Sequence, residues 1–180
     1  ADAEVEDEEE QLKGALQDVD VARLLEPRAR DARDVLVLLE EVRQDEPRDE
    51  DAALLASADA MLDAVRAQID LQAFHEALRV IWQVVSDANR YVDNTAPWGL
   101  KKTDPPRMQE VLAVLAEVIR QVAILVQPVM PEATSKMLAQ LGVPDNARGF
   151  DTIGGAVRLP AGHLIDKPEP VFPRYIVEEA

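Results

Sequence analysis

The chain has 180 residues, with 19 Lys and Arg against 35 Asp and Glu, a formal charge of −16 at pH 7. That length suits one domain with its own core and leaves no room within these residues for a large multidomain enzyme. With no cysteine and only two histidines, His75 and His163, disulfides, thiolate zinc sites and a cysteine nucleophile are excluded, and histidine chemistry has little to draw on.

Hydrophobic residues make up 47% of the chain, but aromatics only 4%, and there are 7 glycines. Such a composition favours helices over a β-sandwich or barrel. Residues 1–50 carry 18 acids and 7 bases and read as an acidic arm. Seven of those acids fall in the first ten residues, a solvated tail. That start has neither a basic segment nor an apolar core, so it is not a secretory signal. An initial Ala rather than Met suggests a fragment or a processed chain. Val35, Leu36, Leu38 and Leu39 give residues 19–42 helical potential, bounded by Pro27 and Pro47.

From residue 51 the pattern sharpens. Leu54, Leu55, Ala58, Met61, Leu62, Val65 and Ile69 recur at spacings of three and four, predicting an amphipathic helix over 52–69. A second begins near Asp70, is marked by Phe74, Ala77, Leu78, Ile81, Val84, Val85, Ala88, Tyr91 and Val92, and ends before Pro97. A third runs from about Pro106 to Gln127. Its apolar residues spread around the whole helix near its end, as in the middle member of a bundle. A shorter helix over 131–140 stops at Gly142, a left-handed cap. Beyond it, glycines and prolines punctuate short apolar pieces, an extended turn-rich strap with one hairpin that packs on the bundle. The expected fold class is therefore an all-α helical bundle (51–142) with a C-terminal strap (143–180). The longest uncharged apolar runs, Val111–Ala116 and Val122–Val126, are far short of the roughly 20 residues a membrane span needs. A cytoplasmic location is expected.

Catalytic patterns are missing. A carboxylate-bridged metal site needs Glu three residues before His; here Gln72 and Pro160 stand there, and no metal is expected. Gly154-Gly155 lacks the Lys-Ser/Thr of a phosphate loop. Ser57, Ser86 and Ser135 have no His–Asp partners at motif spacing, and no calcium loop occurs. No catalytic residue is assigned.

One junction remains. Asn89-Arg90-Tyr91-Val92-Asp93-Asn94-Thr95-Ala96-Pro97-Trp98-Gly99-Leu100-Lys101-Lys102 ends the second helix, places Trp98 in a loop after Pro97, and adds two lysines before Arg107. Residues 89–107 hold four bases against two acids. A tryptophan beside cations can serve as a stacking platform for an unpaired base, worth about 1–3 kcal/mol. The plainer alternative is a Trp98 ring buried at a helix end with the lysines on the surface.

These residues also carry a family resemblance. The stretch from Leu71 to Leu141, above all Asn89-x-Tyr91, Ala96-Pro97-Trp98 and Gln127-Pro-Val-Met-Pro131, resembles the C-terminal anticodon-binding domain of bacterial methionyl-tRNA synthetases. Pro160-Ala-Gly-His and Pro170-Val-Phe-Pro-Arg-Tyr-Ile resemble the ending of the same family. The resemblance implies a bundle that docks on the anticodon stem-loop of methionine tRNA. Trp98, set by Pro97, would stack on an anticodon base, and Lys101, Lys102 and Arg107 would contact phosphate. Asn89 and Tyr91 would shape the bundle, Trp82 would lie in the core, and His75 would have no ligand role.

The catalytic motifs of that family, His-Ile-Gly-His and Lys-Met-Ser-Lys-Ser, do not occur here. No cofactor is expected in this chain: ATP and methionine would bind a separate catalytic domain, itself a candidate partner. DNA and membrane are not expected partners. The Asn and Arg of the family's first anticodon-domain helix also lack recognisable equivalents in residues 1–50. Codons for Glu26–Ala32 read one base later can encode Asn-Arg-Val-Leu-Ala-Met, which resembles that helix; a stop codon in that frame of the gene would end this frame-shift reading. A bundle missing that helix would expose an apolar groove that invites self-association. Two alternatives stand beside RNA binding: an acidic helical protein-interaction module or degenerate synthetase remnant, and an acidic nucleic-acid mimic.

Overall fold

A computed structural model describes residues 48–160, 162–165 and 169–172. The acidic tail and the helix expected over 19–42 lie outside the described residues. Within the described residues the chain forms five α-helices and two short 3-10 turns, with no strand.

Helix α1, Asp49–Asp70, buries Asp51, Leu54, Ala58 and Met61 on one stripe. Helix α2, Phe74–Thr95, buries Ala77, Ile81, Val84, Val85, Ala88 and Tyr91. The two pack against each other as an antiparallel hairpin. The second helix starts four residues later than the sequence pattern indicates, because Gln72 takes a left-handed φ of 58°. Its N–H donates to the Ile69 carbonyl at 2.8 Å, and that of Ala73 to Gln68 at 2.9 Å. This is a Schellman cap built without the usual glycine.

A short helix α3, Pro97–Thr103, leads into α4, Pro105–Val126, followed by α5, Pro131–Gln140. α4 is the central member and packs against all four other helices. Every residue from Val114 to Val126 is buried, as its all-round apolar surface requires. Met61, Val111, Val118, Ile124 and Leu138 are fully enclosed, each worth about 1.5–3 kcal/mol of burial. α5 closes on Gly142 at φ 68°. An added Cβ there would stand 2.6 Å from the Leu164 carbonyl oxygen, so only glycine fits both the turn and the space.

The expected hairpin is not found among the described strap residues, where the turns Asp145–Ala147 and Phe150–Thr152 stand instead. Backbone pairing is replaced by side chains reaching out of the bundle. Arg120 on α4 donates to the carbonyls of Thr152 at 3.0 Å and Val157 at 2.8 Å. It also forms a two-pronged pair with Glu117 at 2.7 and 3.0 Å. Glu117 accepts from the Leu159 N–H at 3.1 Å, while Asp59 on α1 accepts from Gln121 and Arg158 at 2.9 and 2.7 Å. Arg120 and Glu117 would be costly inside an apolar helix if unpaired; here they bind the strap. Ile153, Leu159, Ile165, Val171 and Phe172 add apolar contact with the core. No described helix is long and apolar enough to cross a membrane.

Candidate nucleic-acid interface

The junction singled out by sequence sits at one end of the α1–α2 hairpin. α2 ends when Ala96 adopts a left-handed conformation, φ 43°, with its N–H on the Val92 carbonyl at 2.9 Å. A non-glycine residue pays a steric cost for this conformation, and the turn redirects the chain. Pro97 then opens α3 and is itself buried, using a first-turn position where its missing N–H costs nothing. Trp98 therefore lies in the first turn of a helix rather than in the loop expected from Pro97. The residue is 66% exposed, opposite to the average habit of tryptophan.

Lys101 and Lys102 fall in the last turn of α3 and are exposed, a placement the helix dipole favours. Arg90 on α2 is a further exposed cation, paired with Asp87 at 3.0 Å. Among the described residues, no group of three or more His, Asp or Glu side chains comes together to hold a metal ion.

Arg107 does not join this surface. The sequence suggests a phosphate contact, but the side chain is only 4% exposed. One guanidinium nitrogen donates to Asp51 at 2.5 Å and Glu110 at 3.2 Å; the other donates to Asp51 and Glu50, both at 2.7 Å. The cation is held among three carboxylates instead of facing solvent. Asp51 is 2% exposed and also accepts from the Tyr91 hydroxyl at 2.7 Å. Burial raises its pKa, but the Arg107 and Tyr91 hydrogen bonds and the Arg107 charge outweigh that, holding it below 3.8. Burial and the Asp51 carboxylate push the Tyr91 hydroxyl well above its ordinary value. The Asp51 bonds push Arg107 up against its own burial.

Asp51 was open to discovery by sequence, since it stands three residues before Leu54, on the stripe that continues through Ala58 and Met61. Tyr91 is buried. Trp82 is half-buried against the core. His75 is exposed, with Nε2 3.3 Å from Glu76. His163 Nε2 lies 2.6 Å from the Leu141 carbonyl.

Among the described residues the chain is thus an all-α bundle with an exposed tryptophan and two exposed lysines at one end. Residues 43–180 match the family model described as the anticodon binding domain of methionyl tRNA ligase. The chain belongs to this family. It is 50% identical over 132 residues to a methionine–tRNA ligase of Rhizobium meliloti strain 1021, covering 73% of this chain and 26% of that protein. Identity is 47% over 131 residues to one from Mycobacterium tuberculosis H37Rv, covering 71% and 25%. The crystal structure of the free Mycobacterium tuberculosis methionyl-tRNA synthetase superposes with a TM-score of 0.71 at 40% identity, over 82% of this chain and 31% of that one. The chain thus spans about a quarter of the length of the curated relatives it matches.

Proposed function

We propose that this chain is a tRNA anticodon-binding module of the methionyl-tRNA synthetase type, recognising methionine tRNA. The observation that carries the reading is the 66% exposure of Trp98 on a helix whose last turn presents Lys101 and Lys102. In this reading Trp98 stacks on an anticodon base, Pro97 fixes the start of its helix, and the lysines attract phosphate. Arg107 acts from inside the bundle. Methionine activation, with its ATP site, is assigned to a catalytic domain outside these residues.

The test is binding of methionine tRNA against an anticodon-altered version, at two salt concentrations. The expected result is anticodon-dependent binding that falls by about 5- to 150-fold in Trp98→Ala, the range for loss of one base–aromatic stack. Equal affinity for both RNAs would overturn it.

A second reading, a helical interaction module without RNA binding, rests on an apolar groove of about 400 Å³ at the other end of the α1–α2 hairpin, lined by Leu62, Val65, Ile69, Phe74, Leu78 and Val129 among others. A folded chain that ignores tRNA at low salt would select it.

A further inference from the structure

The Trp98 helix is an excursion between two long helices, and both of its roots are tied to one carboxylate. Tyr91 lies on α2 just before the excursion, and Arg107 lies in the first turn of α4 just after it. Asp51, from α1, accepts from both: Tyr91 at 2.7 Å, Arg107 at 2.5 and 2.7 Å. The backbone repeats the tie on a smaller scale. Asp104 ends α3 through its N–H to Leu100 at 2.8 Å, and starts α4 by accepting the Arg107 N–H on its side chain at 3.1 Å. Between these anchors, Pro97 is buried and Leu100 packs on the core, while Trp98 is left in solvent. A ring so exposed has few contacts of its own to hold it, so its placement depends on the base of the excursion.

We propose that Asp51, Tyr91 and Arg107 are positioning residues for the Trp98 platform, fixing the angle at which α3 presents the ring to an unstacked base. This inference rests on the anticodon-binding reading above. The polar groups bound in the bundle restrict α3 before any RNA arrives, which lowers the ordering cost of binding.

The test uses the full chain carrying Trp82→Phe, so that Trp98 is the only tryptophan. Asp51→Asn and Tyr91→Phe are compared with this background by Trp98 emission anisotropy and by the affinity ratio for methionine tRNA over an anticodon-altered tRNA. We expect lower anisotropy and at least a tenfold smaller ratio in Asp51→Asn, a smaller change of the same sign in Tyr91→Phe, and unchanged helical content. Combined with Trp98→Ala, neither substitution should change the ratio further, because residues acting through one platform do not add. A purely structural role would lower stability and leave this coupling absent. If Asp51→Asn loses helical content, Tyr91→Phe decides by the same two readouts. Unchanged anisotropy in a folded variant overturns the inference whether or not RNA binds; absence of anticodon discrimination in the parent chain overturns the functional reading alone.

Discussion

Arg120, in the C-terminal half of the central helix, donates to the carbonyl oxygen of Val157 at 2.8 Å, so a buried guanidinium holds the strap by its backbone. The same side chain is paired with Glu117, and both are almost wholly enclosed. Removing Arg120 takes away the closest cation from a buried Glu117, which keeps only the Leu159 N–H, the Gln121 amide and Arg158 at 3.6 Å. Arg120→Met should therefore destabilise the chain by about 3–5 kcal/mol. Protease cleavage in residues 150–160 should appear at lower enzyme concentration. The double variant Glu117→Leu with Arg120→Met should recover part of the lost stability in urea unfolding. Equal losses in the single and double variants would show that the charge imbalance is not the cause.

Asp51 links stability to pH. Its folded pKa lies below the ordinary 3.8, so its contribution is complete above 3.8 and is lost as pH falls toward the folded value. Urea midpoints at pH 6, 4 and 3 should show the gap between the parent chain and Asp51→Asn narrowing below pH 4. Tyr91 works in the opposite direction. With its folded pKa above 10.0, its contribution is whole below pH 10 and declines once the unfolded hydroxyl ionises. Tyr91→Phe should flatten that alkaline decline.

Gln72 occupies the left-handed cap position of α1 that glycine fills at Gly142. Relief of the steric cost outweighs the added freedom of the unfolded chain, so Gln72→Gly should stabilise by about 0.5–1 kcal/mol. Thermal unfolding is the measurement, with a rise of about 1–4 °C. A fall in midpoint would mean the Gln72 side chain contributes a contact worth more than the strain.

Lys102 is expected to act on phosphate without reading sequence. Lys102→Ala should weaken binding to matched and altered tRNAs alike, and reduce the slope of log affinity against log salt by about 0.7. A selective loss for the matched anticodon would assign Lys102 to base recognition instead.

The long helices were legible because their apolar spacing is enforced by packing. The stripe through Leu54, Ala58 and Met61 and the cap at Gly142 both follow from local rules. What escaped depends on partners distant in sequence. Arg107 counted as a surface cation because nothing near it in the chain announces Asp51, 56 positions away, at the edge of what reads as an acidic arm. Glu117 and Arg120 looked like interruptions in an apolar run; they are the grip on the strap. Pro97 marks an end in the sequence but not the new helix that proline can begin, so the pattern places Trp98 in a loop and the structure places it on α3.

Because Arg120 takes hold of carbonyl oxygens at Thr152 and Val157, the strap is gripped by a part of the chain that every amino acid shares. The exposed side chains of Ala156 and Val157 are under no demand from this grip, and evolution can change them without loosening it. They are also suitable positions for a fluorophore or an affinity handle, on a segment that stays anchored to the bundle while its outer face is rewritten.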